Sequence, residues 1–174
     1  MRLFLAIPMS QDIRNCLIAC QNELFNRGIR GNFSSEENLH LTLAFIGEYP
    51  DPDAVMDAIS SVTFFPIPIS LDSLGSFGNL WWAGISGSSA LDAVCRRIRR
   101  ALAQNDIPFD QKRFSPHITI LRKASADKIP PISLEPVSMM ADRIMLYRSD
   151  RGKSGMVYST IGCLKAKSKD GVDA

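Results

Sequence analysis

The chain has 174 residues, enough for one ordinary domain or for two small lobes that share a core. A hydrophobic share of 45% against 22% charged residues fits a globular protein, and no apolar run approaches the length of a membrane span. The net charge of +2 excludes a general polyanion binder while leaving room for a local basic patch.

Arg2 to Ile7 alternates and predicts a strand, too short and too early for the apolar core of a signal peptide, so the chain reads as cytoplasmic. Ser10 is placed to cap a helix whose apolar residues Ile13, Cys16, Leu17, Cys20 and Leu24 follow the helical period. Gly28 to Ser34 reads as a turn and short strand, and Asn38 to Gly47 as a longer strand. Asp51-Pro52 starts a helix with Val55, Met56, Ile59 and Val62 on its buried face. Ile67 to Leu74 and Leu80 to Ile85 are strands joined by a Gly75–Asn79 loop. Ser88 or Ser89 caps a third helix with Leu91, Val94, Cys95, Ile98, Ala101 and Leu102 as its apolar stripe. Ser115 to Arg122 is again a strand. A connection with Pro130, Pro131 and Pro136 comes next, then strands over Ala141–Arg148 and Met156–Leu164. The order of helix, strand and further strands occurs twice, which predicts an α+β protein of two similar lobes in a single domain over residues 1–164. Residues 165–174 read as a flexible tail. Cys16, Cys20, Cys95 and Cys163 lie in apolar segments and are expected as buried free thiols.

Chemistry enters with the only two histidines, which share one frame: His40-Leu41-Thr42-Leu43 and His117-Ile118-Thr119-Ile120. Two of the four threonines therefore sit two places after a histidine. In a strand, residues i and i+2 point to one face, so each frame presents an imidazole beside a hydroxyl. By the same parity Ala44 joins His40 and Thr42, leaving room beside the imidazole, while Arg122 points away from His117 and Thr119. Only a bulge or strand end could turn Arg122 round. Imidazoles titrate near neutrality, so one can act as general base and the other as general acid in a displacement at phosphorus. The hydroxyls of Thr42 and Thr119 could hold the non-bridging oxygens. Catalytic zinc wants three protein ligands, and neither a third histidine nor a spaced cysteine pair accompanies these two. No cofactor and no metal are therefore expected.

These residues and their flanks resemble the two-histidine phosphoesterases with paired H-x-[ST]-x motifs, in particular the RNA 2′,3′-cyclic phosphodiesterases also called 2′-5′ RNA ligases. The similarity runs through Met1–Ile7, Glu37–Glu48, Trp82-Ala83-Gly84 and Arg113–Arg122, and spans roughly residues 1–164. It implies a bilobal α+β fold, two antiparallel sheets around a central groove with helices outside. It also implies metal-independent opening of a 2′,3′-cyclic phosphate to a 2′-phosphate. His40 would be the proton donor to the departing 3′-oxygen and His117 the proton acceptor from water. Arg122 occupies a family position associated with phosphate binding, beside Thr42 and Thr119. The implied partner is RNA with a 2′,3′-cyclic phosphate end, tRNA fragments included, or a small cyclic nucleotide; neither membrane nor obligate protein partner is expected. Reversible 2′-5′ ligation is the associated reverse chemistry. The other readings are a 2′-5′ phosphodiesterase acting on oligonucleotides or small cyclic nucleotides, and a non-catalytic module that binds RNA ends. The family's basic residue before the aromatic at Phe33 is absent from Gly31-Asn32-Phe33.

Weaker signals surround the motifs. Arg96, Arg97, Arg99 and Arg100 read first as a solvated helix face. Lys112, Arg113 and Lys123 flank the second motif and could guide a phosphate backbone. Trp81, Trp82, Phe33 and Phe77 are candidates for base stacking, and adjacent Trp81 and Trp82 must face opposite ways. Gly152-Lys153-Ser154 lacks the earlier glycine of a P-loop, and Lys167–Gly171 misses the K-x-D-G spacing by one, so ATP-dependent ligation is rejected.

Overall fold

In the computed structural model, residues 1–86 and 88–168 are described. The first half contains β1 (Arg2–Pro8), α1 (Gln11–Asn26), β2 (Asn32–Phe33), a 3-10 turn (Glu36–Asn38), β3 (His40–Glu48) and α2 (Pro52–Ile59). Then come β4 (Ile67–Phe77), β5 (Leu80–Ser86), α3 (Ser89–Gln104), β6 (His117–Arg122), β7 (Ser138–Ala141), β8 (Arg143–Gly152) and β9 (Gly155–Lys165).

Each helix begins at a residue whose oxygen accepts a first-turn amide. The bonds are Ile13 to Ser10 (3.3 Å), Ala54 to Asp51 (3.1 Å) and Leu91 to Ser88 (3.1 Å), so Ser88 and not Ser89 caps α3. Such caps contribute about 1 kcal/mol apiece. Among the described residues no helix is long and apolar enough to cross a membrane.

The strands form two antiparallel sheets, ordered β3-β1-β8-β9 and β2-β6-β5-β4-β7. The expected α+β fold of two such sheets with helices outside is borne out. Leu3 to Ile7 are all buried because β1 lies inside its sheet, with the helices behind it and the groove in front. Helix α1 packs on β6, whereas α3 packs on β3 and β4, so one helix backs each histidine strand.

Three expectations change. The expected Gly75–Asn79 loop is mostly strand: β4 continues to Phe77, and the reversal falls at Gly78 and Asn79, where Gly78 takes φ +61°. The single expected strand Ala141–Arg148 is two, broken at Asp142. Ala141 ends β7 in one sheet and Arg143 opens β8 in the other, so Asp142 is where the chain crosses between lobes. The tail does not loosen at residue 165. The Ala166 amide donates to the Asp142 carbonyl and the Lys167 amide to the Phe64 carbonyl, each at 2.8 Å, and Ala166 is buried. The remainder of the expected tail, 169–174, lies outside the described residues. The four cysteines are free as expected, but only Cys20 and Cys95 are buried; Cys16 is half-buried and Cys163, on the edge strand β9, is exposed.

Both histidine strands carry the same irregularity. In β3, Thr42 pairs with Ala6 and Ala44 with Leu5, so Leu43 has no partner across β1. In β6, Thr119 pairs with Trp82 and Leu121 with Trp81, which leaves Ile120 over. The extra residue is in each case the third after the histidine, and a bulge of this kind reverses the facing of the residues after it. Each freed carbonyl finds a partner on the helix behind. Leu43 accepts from Arg99 Nε at 3.0 Å and Cys95 Sγ at 3.4 Å, both from α3. Ile120 accepts from the buried Gln21 Nε2 of α1 at 2.9 Å and from the Ser34 amide at 3.0 Å.

Candidate active site

The alternation of β3 and β6 up to their bulges places Leu41, Leu43, Ile118 and Ile120 in the core and leaves His40, Thr42, His117 and Thr119 partly exposed. All four line one cavity of about 480 Å³ where the sheets meet. Arg122 lines it too. The bulge at Ile120 turns the end of β6, so the guanidinium that straight parity aimed away reaches the groove. In β3 the bulge acts against expectation: Ala44 is buried in the core and makes no room at the imidazole.

Backbone fit keeps the end of β6 close to the β2 segment. Gly31 has φ +148°, and a Cβ there would meet the carbonyl oxygens of Arg122 and Lys123 at 2.7 Å. Asn32 then pairs with Arg122 across β2 and β6. Glycine before the aromatic is therefore what lets this edge approach the second motif. Ser34 adds a hydroxyl bond to the Thr119 carbonyl at 2.9 Å, and Gln21 ties the Ser34 and Ile120 carbonyls together, both at 2.9 Å.

The two imidazoles live differently. His40 stacks on Phe4 at 4.9 Å and meets the edge of Tyr158 at 5.1 Å, with Tyr147 at 5.8 Å. Burial in this aromatic nest lowers its pKa from 6.5 to about 4; hydrogen bonding with the Asn38 main chain works against that, and the nearby Arg122 charge adds to it. His40 is thus neutral at pH 7 in the unliganded groove. His117 Nδ1 lies 2.6 Å from the Ser115 carbonyl, which can only accept, so Nδ1 carries the proton and Nε2 of the neutral ring keeps a free lone pair. Phe77 stands edge-on to this ring at 5.2 Å, and Trp82 lies at 5.9 Å.

Among the described residues lining the cavity there is no carboxylate, and Arg122 is the one permanent charge. Nothing there repels an anion, while the two threonine hydroxyls, two imidazoles and a guanidinium line it together. Phe33, Tyr158 and Met156 supply apolar wall, and Asn38 Nδ2 holds the Met156 carbonyl at 3.0 Å, fastening the β8–β9 hairpin to the first motif.

Lys112, Arg113 and Lys123 are not among the lining residues. Arg99 is structural, bonded to the Leu43 and Lys112 carbonyls. Of the tryptophans, Trp81 is fully buried and Trp82 reaches the His117 side, as their opposite facing required. Sequence reading passed over Gln21, Asn38, Phe4 and Tyr158. Gln21 did leave a signal, a polar residue four places after Leu17 on the buried stripe of α1.

Two antiparallel sheets that each bring one His-x-Thr frame to a shared cleft define a two-histidine phosphoesterase. The chain belongs to the 2′-5′ RNA ligase superfamily, whose family model matches residues 25–153. It is similar to an RNA 2′,3′-cyclic phosphodiesterase of Thermotoga maritima, with 29% identity over 175 residues, covering 92% of this chain and 93% of that one. A protein of the same name from Archaeoglobus fulgidus is 32% identical over 130 residues, 70% of this chain and 72% of its own. Among solved structures, E. coli LigT complexed with 3′-AMP gives a TM-score of 0.86 at 26% identity, covering 95% of this chain and 97% of LigT. The expected family is thereby borne out, and with it an enzyme of the phosphoesterase class.

Proposed function

We propose that this protein opens 2′,3′-cyclic phosphate ends of RNA to 2′-phosphates by general acid–base catalysis between His40 and His117, without a metal ion. The observation that carries this reading is the convergence of both histidines, both threonines and Arg122 on one cavity free of carboxylates. The names of its relatives supply the substrate class.

His117, with Nδ1 engaged by the Ser115 carbonyl, presents a basic Nε2 to an attacking water. Its proton moves to that nitrogen as the water oxygen bonds to phosphorus. The 3′-oxygen departs and takes a proton from His40. Thr42 and Thr119 donate to the non-bridging oxygens, and Arg122 balances the charge that builds there. His40 must arrive at this step protonated although burial keeps it neutral in the empty groove. The anionic phosphate supplies what the nest lacks, a negative charge beside the ring, so substrate binding and protonation of His40 are coupled. The same groups serve the reverse reaction from a 2′-phosphate or 2′-5′ linkage, and RNA fragments in the cytoplasm, those of tRNA included, are the natural setting.

The test is incubation with an oligonucleotide ending in a 2′,3′-cyclic phosphate, in excess chelator. The expected product is the 2′-phosphate at full rate. A 3′-phosphate product, or activity lost to the chelator and restored by a divalent ion, contradicts the scheme.

A further inference from the structure

The acid–base scheme uses one side of His117. Strand β6 lies between β2, which borders the cavity, and β5 with β4 beyond it. On that far side stand two aromatic rings with no part in the proton transfers. The Trp82 ring lies flat over Gly75 of β4, close enough that a Cβ there would fall 2.1–2.6 Å from its six-membered ring. Phe77, at the end of β4, leans on Trp82 at 5.3 Å and sets its edge against His117 at 5.2 Å. Phe77 remains 53% exposed. A large apolar ring left open to water beside a polar reaction centre is braced from behind and uncovered in front.

We infer that Phe77, backed by Trp82, is a stacking subsite for the nucleobase adjoining the nucleotide that carries the cyclic phosphate. The inference rests on the phosphodiesterase reading of the site. With the phosphate held between the motifs, the terminal nucleoside occupies the cavity beside Phe33 and Tyr158. The next nucleotide of a strand crossing β6 then passes over Phe77. Stacking on an aromatic face is indifferent to base identity, so this subsite selects for length, RNA over a mononucleotide, and not for sequence. Contact with His117, which itself lines the cavity, is what favours a base over any other occupant.

The test compares kcat/KM for adenosine 2′,3′-cyclic phosphate and for a diadenylate ending in the same cyclic phosphate. The bond broken is identical, so their ratio isolates the second nucleotide from any effect Phe77 has on His117. Phe77→Ala is expected to lower the ratio of dinucleotide to mononucleotide about tenfold, the scale of one lost base stack. Phe77→Trp is expected to keep the wild-type ratio. A ratio unmoved by Phe77→Ala, with both substrates slowed equally or neither slowed, overturns the inference and leaves Phe77 a support for His117. If the wild-type enzyme turns over neither compound, the phosphodiesterase reading falls. The subsite is then judged from binding of the corresponding 2′-phosphates, monitored by tryptophan fluorescence. Preferential weakening of the dinucleotide in Phe77→Ala supports it, and equal weakening sinks it.

Discussion

Strands β3 and β6 carry the same frame, the same bulge and the same kind of helix-borne pin, yet they deliver different groups to the groove. In β3 the fifth residue after the histidine is Phe45, which lies under the Arg2 guanidinium at 5.0 Å. In β6 it is Arg122, which lines the cavity. The first motif holds its imidazole inside an aromatic nest of Phe4, Tyr147 and Tyr158, and the second sets its imidazole against a carbonyl oxygen, with Phe77 and Trp82 beside it. A shared backbone device therefore sets where the two rings stand, while unlike neighbours give each ring its own surroundings. Near-symmetry of position with asymmetry of environment is what an acid and a base need.

The largest effects are expected at the rings themselves. His40→Ala and His117→Ala should each lower kcat on a cyclic-phosphate end by about 10²- to 10⁴-fold. Near-normal turnover in either variant removes that ring from the chemistry.

A second expectation separates the two motifs by pH. Because the fold keeps His40 neutral, its pKa falls from 6.5 to about 4, and the unfolded chain binds a proton that the folded one refuses. Stability from this source is complete above pH 6.5 and is lost as pH falls toward 4, by roughly 3 kcal/mol. Urea titrations across that window should show the loss in the wild type and its reduction in His40→Leu. An identical slope in both would show that His40 is not the group responsible.

The ends of the two strands should differ next. Arg122→Ala should raise KM for the cyclic phosphate by about tenfold to a hundredfold, as expected for losing a charge-assisted bond. Phe45→Leu, at the matching place in β3, should change KM far less. Equal effects would mean that the two strand ends do not differ in function.

The smallest effects concern the pins. Gln21→Leu and Arg99→Met should each cost about 1–3 kcal/mol, because each strips partners from backbone carbonyls beside a bulge. Steady-state kinetics should then separate them. Gln21→Leu is expected to raise KM through the displaced end of β6 that carries Arg122, whereas Arg99→Met should spare KM. Equal KM in wild type and Gln21→Leu would show that Arg122 does not depend on this pin.

Much of this was legible in the sequence, because the informative residues are local. A repeated His-x-Thr frame in apolar strands specifies one face of each strand, and Ser10, Asp51-Pro52 and Ser88 announce their helices. Long-range pairing stayed hidden. The bulges at Leu43 and Ile120 exist only relative to Leu5-Ala6 and Trp81-Trp82, so parity alone misplaced Ala44 and pointed Arg122 the wrong way. The break at Asp142 was invisible for the same reason, since Ala141 and Arg143 are both strand residues that belong to different sheets. The nest around His40 assembles from β1 and from the β8–β9 hairpin, which lies more than a hundred residues further along the chain, and no local pattern encodes it.

With two histidines in the whole chain, ring nitrogen NMR resolves each imidazole separately. Titrating the free protein and its complex with adenosine 2′-phosphate, with His40→Asn to assign the signals, tests the coupled acid–base pair directly. His40 is expected to titrate near 4 in the free protein and to shift upward when the phosphate binds. A His40 ring that titrates at its ordinary value in the empty groove, or that does not respond to the bound phosphate, contradicts that coupling.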